Sequence, residues 1–130
     1  MESVTVIAPR AYDGEFKARL ASHPSLAPTG EGNVVVLDDG KTRVYVARND
    51  YATEEMEPER LQQIMASVKE PIFYTVDFSD IDFCKGVLTL LVDDPLVLVD
   101  NDHGVLLAGS DFVRVLHERP DWDWRYDLAR

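Results

Sequence analysis

The tightest constraint on this chain is an Asp-Gly pair set between two β-rich runs. Asn33–Leu37 and Thr42–Ala47 are joined by Asp38-Asp39-Gly40-Lys41. Glycine adopts positive φ at no steric cost, so such a join turns the chain back on itself as a tight hairpin. Any fold of this sequence therefore contains antiparallel sheet. A second fold-back is expected where Leu96–Val99 and Val105–Ala108 flank Asp100-Asn101-Asp102-His103-Gly104. Val4–Ala8, closed by Pro9, and Ile72–Phe78 read as further strands, the latter central.

Helical periodicity fills the gaps between them. Tyr12, Phe16 and Leu20 are spaced by four, with Asp13 placed to cap and His23-Pro24 to stop the helix. Leu61, Ile64, Met65 and Val68 fall at i, i+3, i+4, i+7 within Glu57–Lys69, with Pro58 at a first helical position. Ser79-Asp80-Ile81-Asp82 resembles a capping box with Asp in place of Glu, and leads an almost wholly apolar helix from Phe83 to Val92. Gly86 in its interior costs up to ~1 kcal/mol relative to Ala, which suggests close backbone packing there. Gly109-Ser110 opens a last helix over Asp111–Arg119, ended by Pro120. The tail Asp121–Leu128 alternates Trp122, Trp124, Tyr126 and Leu128 with Asp123, Arg125 and Asp127, the period of a strand. The expected fold is a single α+β domain over residues 1–130, with a mixed or antiparallel sheet, two β-hairpins and about four helices.

Composition narrows the function. At 130 residues and 45% hydrophobic content the chain buries a core of its own without a disulfide or metal staple. Its net charge is −11, which disfavours nucleic acid and anionic membranes, since both need clustered Lys and Arg. Nine of the carboxylates lie between Glu70 and Asp111 against one base, Lys85, a local net of −8. Eight of the nine are Asp, which favours turns and helix starts, so part of this density is local punctuation. The rest is a field that a cationic partner feels. A lone Cys84 in an apolar run, the lack of a signal-like apolar N-terminus and the lack of a membrane-length apolar stretch point to a cytoplasmic protein.

Motifs for chemistry are scarce. His23, His103 and His117 lie beside no nucleophile elbow, and Cys84 sits inside a helix rather than at an N-terminus that would activate it. Asp100–Gly104 superficially resembles the start of a calcium loop, but Gly104 falls at the fifth position instead of the sixth and no Glu follows in register. Gly30-Glu31-Gly32 precedes a strand, where a phosphate-binding loop needs a strand before it. No catalytic residue, metal or cofactor is expected.

The aromatic tail has two readings: an apolar face packed on the core, or Trp and Tyr anchors on an acid-rimmed strand. In size, acidity and lack of catalytic motifs the chain resembles in kind the bacterial immunity proteins and antitoxins that neutralise nuclease toxins. That resemblance implies an acidic module that masks a basic partner protein. The candidate contact residues are Asp77, Asp80, Asp82, Asp100, Asp102, Trp122, Trp124 and Tyr126, and a homo-oligomer is compatible with the same surface. The alternative is a small enzyme or ligand-binding domain, its pocket lined by Tyr45, Tyr74, Trp122 or Trp124 with a carboxylate or His117.

Overall fold

In the computed structural model, residues 1–27 and 32–126 are described. The strands are β1 (Glu2–Pro9), β2 (Val34–Asp38), β3 (Arg43–Arg48), β4 (Pro71–Phe78), β5 (Leu98–Asp100) and β6 (Leu106–Ala108). They form one antiparallel sheet in the order β2-β3-β4-β1-β5-β6. The helices are α1 (Asp13–Ala21), α2 (Ala52–Glu55), α3 (Pro58–Ser67), α4 (Ile81–Leu91) and α5 (Gly109–Glu118), with a single 3-10 turn at Arg10–Tyr12. The fold is α+β, as the sequence indicates, with β2–β3 and β5–β6 as the two hairpins.

Both hairpins turn as their residues require. Gly40 has φ +92°, and the carboxylates of Asp38 and Asp39 accept backbone N–H bonds from Gly40, Lys41 and Thr42. The centre of the sheet joins β1 to β4 in a register from Glu2↔Phe78 to Pro9↔Pro71. This pairing closes a long loop, and apolar burial on both strands supports it.

The two faces of the sheet are unequal. Val4, Val6 and Ala8 of β1, Val44 and Val46 of β3, and Ile72, Tyr74, Val76 and Phe78 of β4 face the main core under α1, α4 and α5. The opposite face carries a smaller cluster in which Ile64, Val68 and Ala52 cover Ile7 and Phe73, joined by Leu98 and Leu106. The helices α2 and α3 cover only that end. Ser3, Thr5, Tyr45, Thr75 and Asp77 lie on the open remainder of the same face, by strand alternation and register.

Five local expectations need correction. Residues 121–126 form turns, not a strand, and Leu128 lies outside the described residues. Trp122 and Trp124 are only 1% exposed; Trp124 packs edge-on with Phe78 and Trp122, and Phe112 lies tilted against both indoles, because two indoles bury more apolar area in the core than on a sheet edge. Asp13 sits inside the first turn of α1 and caps nothing; its carboxylate accepts from the Tyr74 hydroxyl and pairs with Lys17 at 3.0 Å. The α4 cap is Asp80, not Ser79, and accepts from the N–H groups of Asp82 and Phe83 at 2.9 and 3.1 Å. Gly86 faces open space, and the close approach is made instead by Gly109 at the start of α5.

Candidate functional site: the open sheet face and its cleft

The open half of the second sheet face carries hydroxyls and carboxylates. Ser3 and Thr5 alternate along β1, and Thr75 and Asp77 do so along β4; the register sets Ser3 opposite Asp77 and Thr5 opposite Thr75. The Ser3 hydroxyl donates to Asp77 at 2.6 Å. On the other side of β1, Thr5 faces Asp100 of β5. Where this half-sheet meets α2 and α3 there is a cleft of about 490 Å³. Its floor includes Ser3, Thr5 and Thr75; its walls include Asp100, Asp102, Glu55, Glu57 and Arg60.

Asp100 is the most enclosed of these carboxylates, at 5% exposure. Its Oδ1 accepts the Asp102 backbone N–H at 2.9 Å, and its Oδ2 lies 3.6 Å from Nε of Arg60. Asp102 sits at φ +63°, a left-handed conformation that Asp tolerates better than most side chains. Its residue keeps an exposed edge at the turn, while its carboxyl lines the cleft and accepts weakly from Thr5 Oγ1 at 3.4 Å. Desolvation there, followed by the Asp100 charge, pushes its pKa up to about 6; Thr5, His103 and Arg60 offset part of the rise. Nε2 of His103 lies 3.5 Å from the Glu2 carboxylate.

Asn101, fully buried between the two aspartates, builds this turn. Its Oδ1 accepts from the N–H groups of His103 and Val105 at 2.9 and 2.8 Å, and its amide donates to the Trp124 carbonyl at 2.7 Å. The stretch that mimics a calcium loop in sequence is a hairpin turn bolted to the tail. No group of three His, Cys, Asp or Glu among the described residues is arranged to hold a metal ion.

The predicted contact residues separate accordingly. Asp77, Asp100 and Asp102 come together on the open face. Asp80 is occupied as the α4 cap, and Asp82 stands exposed in the first turn of α4, 3.9 Å from Lys85. Trp122 and Trp124, being core residues, offer no surface to a partner. Tyr126 is 84% exposed, with the Arg125 guanidinium over its ring.

Of the pocket expected around Tyr45, Tyr74 or the tryptophans, one part is present: Tyr74 lines a cavity of about 600 Å³ together with the carboxylate-bearing Asp50, Arg48 and Val46, while Tyr45 and both tryptophans are not among its lining residues. Tyr74 faces the main core, where burial and the Asp13 carboxylate raise its pKa, while Tyr45 pairs with Asp77 on the other face. His117 is exposed on α5. Cys84 is fully buried, and desolvation pushes its thiol pKa up, which leaves it a packing residue.

Arg60, Ser3, Thr5 and Thr75 were not singled out from sequence. The signal was present in part: Ser3 and Thr5, and Thr75 and Asp77, are polar positions in phase on two strands. Only the β1–β4 register shows that they share a face. Comparison of the chain with protein-family models, with curated proteins and with solved structures finds no match. The site therefore rests on its own geometry. Among the described residues no helix is long and apolar enough to cross a membrane.

Proposed function

We propose that the protein is an acidic binding module that docks a basic partner on the open half of its second sheet face. The masking role is of the immunity-protein or antitoxin kind, with a nuclease toxin as a fitting partner. One observation carries this reading: carboxylates from β4, β5, the β5–β6 turn and the α2–α3 segment gather on and beside the half of this sheet face that no helix among the described residues covers. A cationic active site normally occupied by phosphates is complementary to such a face, and the charge steers encounter.

The test is binding of a basic protein recovered from the source cells, measured against salt and against Asp77→Asn and Asp102→Asn. Affinity is expected to fall steeply between about 50 and 300 mM salt, where screening shortens the reach of surface charge. Each variant is expected to weaken it roughly tenfold, the scale of a close interfacial charge pair. Affinity indifferent to salt and to both variants would overturn the reading.

A second reading, a small-molecule site, is favoured by the concavity of the cleft and by the raised pKa of Asp102. It predicts saturable binding of a small cationic ligand that survives at high salt.

A further inference from the structure

The cleft already holds one guanidinium, that of Arg60. Four carboxylates, those of Asp100, Asp102, Glu55 and Glu57, line it with Arg60 as the one cation among its described lining residues. Arg60 lies 3.6 Å from Asp100 and also lowers the Asp102 pKa through its charge, so a buried carboxylate and a partly desolvated one share one cation.

The contact is loose. At 3.6 Å it lies beyond hydrogen-bond length, and it lacks the bidentate fork that makes Arg–carboxylate pairs rigid. The Arg60 side chain keeps a quarter of its surface in solvent. It springs from the first turn of α3, so it can swing outward by rotamer change without moving the helix.

We propose that Arg60 is a resident counter-cation of the docking face, which a partner's arginine displaces from Asp100. The inference rests on the docking reading above and adds the control of that face. In the free protein Arg60 satisfies the buried carboxylate and holds the cleft closed to weak cations. An incoming guanidinium that forks onto Asp100 and Asp102 supplies better geometry than the resident pair, and Arg60 is released to water. The face is thereby selective for arginine over lysine, whose compact ammonium cannot make the fork.

Hexaarginine serves as the probe, with hexalysine beside it, in titrations of the whole protein at about 50 mM salt, where surface charge acts at range. Arg60→Gln is expected to tighten hexaarginine binding roughly fivefold over wild type, the scale of one partly screened charge contact. Arg114→Gln makes the same change in net charge on α5, where Arg114 pairs with Asp111 and Glu118, and is expected to have a much smaller effect. In an Asp100→Asn background Arg60→Gln is expected to give much less tightening, the remainder coming from the Arg60 charge acting on Asp102. Equal tightening by Arg60→Gln and Arg114→Gln, or none by Arg60→Gln, overturns the proposal.

Should Arg60→Gln fail to fold, the wild-type protein decides by NMR. The Arg60 Nε–Hε resonance is expected to move on titration and saturate with the Asp102 amide; a stationary Arg60 signal overturns the displacement. If Asp77→Asn and Asp102→Asn leave hexaarginine binding unchanged, the docking face itself is wrong. If they weaken it while Arg60→Gln does nothing, only the counter-cation role fails.

Discussion

At the residue scale, Asp102 carries the clearest conflict between local and global demands. Its left-handed backbone and its bond to Asp100 close the β5–β6 turn, yet its carboxyl is set against a second carboxylate in a partly desolvated cleft. Its pKa is raised to about 6 from an ordinary 3.8, so the fold favours the protonated form. A raised carboxyl contributes fully below its unfolded value and loses that contribution as pH rises through the folded one. Asp102→Asn should therefore stabilise the protein at pH 8 by about 1 kcal/mol, a figure reduced for the exposed edge of the residue. The gain should vanish by about pH 4. Urea midpoints for both proteins at pH 8, 6 and 4 check this, and a constant difference across the range would refute it. Asp102 was singled out in the sequence for its charge; its strain was not legible, because it depends on which neighbour the turn brings close.

At the element scale, the two helical glycines reverse the expectation drawn from their positions. Gly86, mid-helix in α4, has nothing within 4 Å of where a Cβ would stand. Gly109 opens α5 against the end of α4: a Cβ there would lie 1.9 Å from the Val92 carbonyl oxygen. Its N–H donates to Val97 at 2.7 Å, and that of Ser110 donates to Asp94 at 3.2 Å, so the start of α5 is tied to the chain leaving α4. Gly86→Ala is accordingly expected to stabilise the protein by about 0.5–1 kcal/mol, the helix-propensity difference. Gly109→Ala is expected to cost more than about 2 kcal/mol, since backbone rather than a flexible side chain must give way. Thermal unfolding of the pair measures both signs. The tail illustrates the same limit: alternation of Trp122, Trp124 and Tyr126 reads as a strand, but among the described residues no strand pairs with it, and core burial takes the two indoles.

At the scale of the whole molecule, the net charge of −11 opposes compaction. Much of it is locally engaged: Asp80 in a helix cap, Asp38 and Asp39 in a turn, Asp123 under the Arg125 fork at 2.9 and 2.7 Å. Of what remains, Asp77, Asp100, Asp102, Glu55 and Glu57 gather on one open sheet face and the cleft beside it, while others such as Asp82 stand exposed elsewhere. Screening should relieve this repulsion more than it weakens exposed ion pairs, which contribute little individually. The urea midpoint is therefore expected to rise between about 20 and 200 mM NaCl, as the Debye length shortens. A falling midpoint would mean that pairs such as Arg60–Asp100 outweigh the repulsion.

The sequence by itself determined most of the elements, though not α2 or the tail: the Asp-Gly and Asp100–Gly104 turns, the amphipathic α3, the apolar α4 and the β-branched strands, all of which follow from interactions spanning a few residues. It also located the acidic stretch that supplies Asp77, Asp100 and Asp102. Tertiary structure alone decided that β1 pairs with β4, which places Ser3, Thr5, Thr75 and Asp77 on one face, and that α3 delivers Arg60 to Asp100. It alone decided, too, that both tryptophans belong to the core. Each of these depends on contacts between residues far apart in the chain, where register and competition for buried area set the outcome and local pattern carries no information about the partner.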